Sequence, residues 1–281
     1  MSNKELNTTL LKEKYSGLFN DESTLIDLIG EVKFGYSEIK SFINADKVKK
    51  ILEIGSGPGM LISELKNLFP NIEMTGLEPS IRGYNRYKKI FSNLKEKSTN
   101  VNNLNLVNND IKNFQTKEKY DLIFSVNVLE HVEDWIVYIE NSKKLLSPKG
   151  KCVILCPNYD FPYESHYIIP IILNKNFTKF LFKNKITKHD KKHNLKDHWE
   201  NINFVSKRKI KKYLLKNNYN FYFDEKIKDR LIERVSNDLE LKRKQGIAGK
   251  LAVMSKKIYL DKLIFDFLKV PFPYMKLIIK S

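Results

Sequence analysis

Several short stretches of this chain hold residues whose types and spacing could do chemistry. Glu53-Ile54-Gly55-Ser56-Gly57-Pro58-Gly59 sets alternate glycines behind an acid. Such glycines let the backbone pass close under a ligand and free a following helix N-terminus to face it. A dinucleotide fingerprint needs its third glycine where Met60 stands, and no Gly-Lys-Ser/Thr follows, so neither that motif nor a P-loop fits. Glu78, in Gly76-Leu77-Glu78-Pro79-Ser80, stands where α/β folds place an acid on ribose hydroxyls. Further on come Asn109-Asp110-Ile111 and Ser125-Val126-Asn127-Val128-Leu129-Glu130-His131-Val132. In the run from Pro157 to Tyr167, His166 with Glu164 nearby is a candidate proton acceptor, and the tyrosines could stack on a sugar or aromatic ring. His189, His193 and His198 have the types of metal ligands, the first two at i, i+4. They lie in a lysine-rich polar stretch with no evident supporting partners, so a solvated basic face and no metal is the expectation.

These groups need elements to hold them. Residues 1–46 read as short helices, with Leu25, Ile26, Leu28 and Ile29 at helical spacing. From Lys50 onward short apolar strands alternate with amphipathic helices. The pattern predicts strands at Lys50–Ile54, Ile72–Leu77, Leu104–Val107, Tyr120–Val126 and Lys151–Cys156. Helices are predicted at Met60–Phe69, near Ile81–Lys95, and at Val132–Leu146, the last closed by Ser147-Pro148-Lys149-Gly150. Strand–helix–strand repetition forces parallel strands with right-handed crossovers. After Pro157 the alternation stops: Tyr159–Phe182 is aromatic and proline-interrupted, and Lys183–Trp199 is basic and histidine-rich. A helix at Ser206–Lys216, a strand at Tyr219–Phe223, a mostly helical 226–269 and a closing strand at Tyr274–Lys280 complete the reading. The fold class is α/β: a doubly wound, Rossmann-like, mostly parallel seven-stranded sheet with N-terminal helices and a helical, basic insertion. Four segments are expected: 1–46 helical, 47–158 cofactor-binding core, 159–205 aromatic and basic substrate cap, and 206–281 completing the sheet.

Glu53-x-Gly55-x-Gly57-x-Gly59, with Glu78, Asp110 and the Val128-Leu129-Glu130-His131-Val132 run at successive strand tips, resembles the class I S-adenosylmethionine-dependent methyltransferases. The resemblance covers residues 47 to about 158 and, in outline, the last two strands. It implies that Glu53 anchors the loop and reaches the methionine amino group. Gly55, Ser56, Gly57 and Gly59 would line the methionine moiety, and Glu78 with Pro79 would hold the ribose. Asp110 and Ile111 would flank adenine, and Asn127 would sit near the sulfonium. The alternative for each acid is a solvated loop carboxylate. The implied cofactor is S-adenosyl-L-methionine, with S-adenosyl-L-homocysteine as product; a ligand cationic at sulfur suits a carboxylate-rich site.

Charge and cysteine content bound the rest. Lys+Arg is 50 against 33 Asp+Glu, a net +17, and residues 171–217 alone carry fourteen Lys/Arg against three Asp/Glu, or +11. Such a patch fits a phosphate or pyrophosphate handle on a substrate or an anionic lipid surface. Only six of the basic residues are Arg, the residue best suited to bidentate base and phosphate contacts, so nucleic acid is not expected as a partner. A lysine- and asparagine-rich composition also follows from an AT-rich genome. The longest apolar run, Tyr167–Leu173, is seven residues and is broken by Pro170, against about 20 for a bilayer span. Met1–Phe19 lacks a signal-type apolar core. Cys152 and Cys156, four apart in a strand, lie roughly 13 Å apart and cannot pair. The expectation is a reduced cytoplasmic protein, with peripheral membrane association open. An amphipathic helix over 251–269, with Ser255, Lys262, Asp266 and Lys269 opposite Leu251, Met254, Ile258, Phe265 and Leu268, is expected to pack on its own domain.

The segments after the fourth and fifth strands bear on the methyl acceptor. Adenine and cytosine methyltransferases carry Asn/Asp-Pro-Pro-Tyr-like or Pro-Cys segments after the fourth; this chain has Asn127-Val128-Leu129, and its Cys156-Pro157 is reversed and after the wrong strand. His131 and His166, with Glu164, are the catalytic candidates; Glu130 and His131 have a helix-capping or loop-binding role as the alternative. The Pro157-Asn158-Tyr159-x-Phe161-Pro162-Tyr163-Glu164-x-His166 run is similar to bacterial methyltransferases of surface-polysaccharide assembly. The expected reaction is O-methylation of a sugar hydroxyl on a nucleotide-linked or lipid-linked glycan intermediate. Quinone- or phenol-type O-methylation, an RNA-binding methyltransferase and a non-catalytic cofactor-binding module are the alternatives.

Overall fold

A computed structural model describes residues 5–19, 21–79, 85–193, 195, 197–238, 254 and 260–281. The chain divides into two compact units: Met1–Val128 with Ile136–Val153 and Lys280–Ser281, and Leu129–Trp135 with Ile154–Ile279.

The first unit opens with helices α1 (Thr8–Tyr15) and α2 (Glu22–Ile39), each started by a side chain that accepts from the first free amides: Asn7 from Thr9 and Leu10, Asp21 from Ser23 and Thr24. In α2 the buried positions Leu25, Leu28, Ile29 and Val32 recur at helical spacing. Strands β1 (Lys50–Ile54), β2 (Glu73–Leu77), β3 (Leu104–Val107) and β4 (Tyr120–Val126) then alternate with helices α3 (Met60–Leu68), α4 (Asn85–Ser98) and α5 (Trp135–Lys144). Strand β1 pairs in parallel with β2 and β4, and β2 with β3. Ile51 and Leu52 point to opposite faces of β1, and neither is exposed, as expected of a strand covered by helices on both sides. Asp121 fixes the entry to β1 by accepting from the amides of Lys49 and Lys50 at 2.8 and 3.1 Å. Strand β5 (Leu146–Pro157) follows α5, and Cys152 and Cys156 within it are free and buried.

The second unit contains the end of β5, a two-stranded hairpin β6 (Tyr163–Glu164) and β7 (Ile169–Pro170), helices α6 (Lys175–Lys192), α7 (His198–Asn201), α8 (Lys207–Lys216) and α9 (Ile227–Asn237), and strands β8 (Asn220–Phe223) and β9 (Tyr274–Lys280). It has its own apolar cluster, Tyr167, Ile169, Ile186, Trp199 and Ile202, with Tyr159, Phe182 and Phe204 against it. The strand order is β3-β2-β1-β4-β5-β9-β8, the seven-stranded α/β sheet expected from the pattern.

Four local expectations are corrected. Leu129–His131 form a 3₁₀ turn, so the following helix begins at Trp135 rather than Val132. The Ser147–Gly150 segment belongs to β5 instead of a separate turn, with Lys149 at φ 68°. A Cβ on Gly150 would lie 2.9 Å from the carbonyl oxygens of Ser147 and Tyr120, so only glycine lets the strand pass here. The Lys183–Trp199 stretch is not wholly solvated, because Ile186, His198 and Trp199 are buried. Of the stripe expected to pack over 251–269, Leu251, Ser255 and Ile258 lie outside the described residues; Met254 and Leu268 are exposed, Phe265 is half-buried, and Lys262–Phe267 form a π-helical turn that does not keep an α-helical stripe in register. The start of the helix expected near Ile81 also lies outside the described residues. Among the described residues no helix is long and apolar enough to cross a membrane.

Candidate functional site

In the first unit, Gly55, Gly57 and Gly59 all adopt left-handed backbone, at φ 69°, 54° and 84°. Gly59 caps the N-terminus of α3. A Cβ on Gly55 would fall 2.4 Å from a Val128 methyl, whereas at Gly57 nothing lies within 4 Å, so the loop is packed beneath and open above Gly57. Glu53 ends in the space under this loop. It is 4% exposed, its carboxyl accepts from the Ile62 amide in the first turn of α3, and its Oε2 has no hydrogen-bond partner. Burial, with nearby Glu78 adding to it, pushes its pKa up to about 8 against the Ile62 hydrogen bond. Glu78, at the tip of β2, accepts from the Gly57 amide at 2.8 Å and is pushed up to about 7, again chiefly by burial. Ser56 is 5% exposed with its Oγ likewise unpartnered. The loop is therefore a left-handed backbone, open above Gly57, beside two carboxyl groups that burial shifts toward the neutral form, Glu53 more than Glu78.

Pro79 follows Glu78 and is half-buried. Asp110 turns its carboxylate on its own loop, accepting from Asn113 N at 2.8 Å and from Asn113 Nδ2 at 3.0 Å, while Ile111 beside it is buried. Asn127, at the tip of β4, holds φ 56°, a conformation that costs energy outside glycine and concentrates at functional sites.

In the second unit three histidines from separate segments converge: His131 from the 3₁₀ turn, His166 from the β6–β7 turn and His198 from the first position of α7. Ring centroids are 5.1 Å apart for His131–His166, 5.3 Å for His131–His198 and 5.1 Å for His166–His198. His166 Nδ1 lies 2.6 Å from Glu164 Oε1. Glu164 has no exposed surface, accepts from the Tyr167 amide at 2.8 Å and from the Tyr159 hydroxyl at 3.1 Å. Burial alone would raise its pKa, but the attraction of His166 in its protonated form, with the hydrogen bonds from His166 and the Tyr167 amide, holds it below the ordinary value. An ionised carboxylate only accepts, so His166 Nδ1 carries a proton in either state, and in the neutral imidazole the lone pair is on Nε2. His198 is set the same way. The Tyr167 hydroxyl donates to Asp190 at 2.7 Å and so accepts from His198 Nδ1, 3.0 Å away. Asn203 secures the His131 turn, its Nδ2 donating to the carbonyls of Leu129 and Val132 at 2.7 and 2.8 Å and its own amide to Glu130 O at 2.8 Å. Burial and the two other imidazoles push the His131 pKa well below its ordinary value.

The grouping expected from sequence is thus redrawn. His198 leaves the basic face for the buried cluster, because Trp199 and Ile202 pull α7 into the apolar core. His189 and His193 stay together, rings 4.5 Å apart, outside it. Tyr167, expected among the tyrosines that could stack on a ligand ring, is instead buried in the apolar cluster with its hydroxyl on Asp190; Asp190 and Asn203 were not read as site residues, and only the fold pairs them with the histidines.

The methyltransferase domain family model matches residues 34–222, two thirds of the chain. The chain belongs to the methyltransferase domain family. An uncharacterized protein of Mycobacterium tuberculosis (strain H37Rv) is 25% identical over 166 residues, covering 59% of this chain and 55% of that protein. Malonyl-[acyl-carrier protein] O-methyltransferase 2 of Ilyobacter polytropus is 31% identical over 107 residues, covering 38% and 39%. The chain spans about half the length of the curated relatives it matches. Among solved structures, phosphoethanolamine N-methyltransferase 2 of Haemonchus contortus with S-adenosyl-L-methionine shares the fold at TM-score 0.51 and 14% identity, over 87% of this chain and 51% of that one. In this methyltransferase domain the loop fits the family's cofactor: the orphaned Glu53 and Ser56 oxygens suit an ammonium group, and the space above Gly57 admits a ligand.

Proposed function

We propose that this chain is an S-adenosylmethionine-dependent methyltransferase that O-methylates a sugar hydroxyl on a nucleotide-linked or lipid-linked glycan intermediate. The observation that carries the reading is the pairing of partly exposed His166 with buried Glu164, Nδ1 to Oε1 2.6 Å. A sugar hydroxyl, unlike a carboxylate or an acidic phenol, gains much from proton removal, and a positioned base contributes typically about 10²–10⁴-fold. Bound at the glycine loop, S-adenosylmethionine supplies an electrophilic methyl group on a positive sulfur. Methyl transfer to a hydroxyl would make a C–O bond as the C–S bond breaks, and the role read for His166 Nε2 would be to take the hydroxyl proton. Glu164 fixes the tautomer and offsets the charge that His166 acquires. Tyr159 and Tyr167 hold Glu164 in place from either side of its carboxylate.

A phosphate-bearing acceptor, lipid-linked or nucleotide-linked, is supported by α6. Leu173, Phe180 and Leu181 are 85%, 75% and 50% exposed next to exposed Lys183, Lys188 and Lys191, the pairing of apolar and cationic groups that suits an anionic membrane surface. The test is incubation with methyl-labelled S-adenosylmethionine and native-cell extract, followed by fractionation. Label in sugar nucleotides or extractable lipid-linked glycan is the expected result, and His166→Ala lowers it about 10²–10⁴-fold. Label that disappears with nuclease or protease treatment overturns the acceptor class.

A further inference from the structure

We propose that His131, His166 and His198 together bind a divalent transition-metal ion of the zinc class. A single base needs a single imidazole. Here three are drawn from three separate segments, and one ring nitrogen of each lies within 4.8 Å of those of the other two. Tetrahedral coordination at about 2.0–2.1 Å per bond puts ligand nitrogens about 3.4 Å apart, a modest contraction from that spacing. The donor set is all imidazole nitrogen, which suits zinc, cobalt, nickel or copper and not the oxygen-seeking magnesium or calcium.

The supporting groups are those of a metal centre. A ligating histidine characteristically donates its other ring N–H to a carboxylate or similar acceptor, which fixes its tautomer. His166 does this to Glu164, and His198 does it to Tyr167, whose hydroxyl is in turn held by Asp190. Glu130, fully buried, brings a further carboxylate to 3.8 Å from His131 Nε2. Imidazoles facing one another with lone pairs toward a common point repel unless a cation sits among them. Trigonal protein ligation leaves a fourth position open. Resting on the O-methyl-transfer reading, the ion takes the acceptor oxygen there and lowers the pKa of its hydroxyl, the proton leaving to water. With the ion bound, His166 Nε2 is a ligand and cannot also take the hydroxyl proton, so the base role given to His166 belongs to the metal-free chain.

The test uses the full chain without a histidine tag, stripped with chelator and then given zinc or cobalt. About one ion per chain should survive gel filtration, with the visible spectrum of tetrahedral cobalt. His166→Gln removes one ligand from a partly exposed position, and Tyr167→Phe removes only the hydroxyl behind His198. Tyr167→Phe should weaken ion affinity about 10–100-fold, and His166→Gln at least as much. His193→Asn leaves it unchanged. Circular dichroism checks that each variant is folded. No retained ion in the wild type, or equal retention in folded His166→Gln, overturns the site. Retention is read without cofactor or acceptor, so loss of the metal site and loss of the methyl-transfer reading are separate results.

Discussion

Glu53 and Glu78 put the cofactor reading within reach of a proton measurement. Their folded-state values, about 8 and about 7, stand above the ordinary 4.5 because burial disfavours the charged form. Between about pH 4.5 and 8 the folded chain therefore holds protons that the unfolded chain has released, so ligand-free stability falls as pH rises through that window. A cationic ligand favours the ionised carboxylates and reverses this. Binding of S-adenosylmethionine at pH 6.5 should release about one proton or more, seen as calorimetric heats that change with buffer ionisation enthalpy. Glu53→Gln should remove about half of that release, the rest coming from Glu78. Heats that ignore the buffer would show that Glu53 keeps its state on binding.

At the scale of elements, the glycine loop separates packing from ligand access. Gly55→Ala meets Val128 at 2.4 Å in a left-handed conformation. It should cost about 2–4 kcal/mol of stability, from backbone strain and overpacking together. Gly57→Ala meets no atom within 4 Å, so only the backbone cost of about 1–2 kcal/mol applies. Its loss of cofactor affinity should exceed what its melting point implies, and an affinity equal to wild type would place the ligand elsewhere. The loop after β5 depends on Asp160, which accepts from Ser206 Oγ at 2.5 Å and from Arg208 N and Nε at 2.8 Å, tying that loop to the N-terminus of α8. Asp160→Ala should lower unfolding free energy by about 1–2 kcal/mol in denaturant titration. A change near zero would mean that the apolar face of α8 alone fixes it.

Across the whole molecule the positive charge is uneven, +11 of +17 falling in residues 171–217. Helix α6 carries much of it and buries only Thr178 and Ile186, and although Phe182 packs on the apolar cluster, Phe177, Phe180 and Leu181 are left to solvent beside its lysines. Co-sedimentation with anionic vesicles should be strong at low salt and weaken as salt rises, each nearby lysine contributing about 1 kcal/mol. Phe180→Ser with Leu181→Ser should reduce it at every salt concentration. Absence of binding to anionic vesicles would leave the nucleotide-linked acceptor as the surviving half of the substrate class.

Sequence by itself determined the α/β alternation, four strands to the residue (Lys50–Ile54, Leu104–Val107, Tyr120–Val126 and Tyr274–Lys280), and the glycine loop with its acid at the next strand tip. These are local properties: apolar periodicity, glycine's access to positive φ, and an acid a fixed number of residues along. The same local reasoning paired His189 with His193 and His198 because they are close in sequence. Tertiary structure alone decided that His198 joins His131 and His166, since burial of Trp199 and Ile202 turns α7 inward, 67 positions along the chain from His131. It also decided that Tyr167, Asp190 and Asn203 orient those rings. Side-chain partners this far apart along the chain leave no periodic signal, because only the packed core brings them within hydrogen-bond reach.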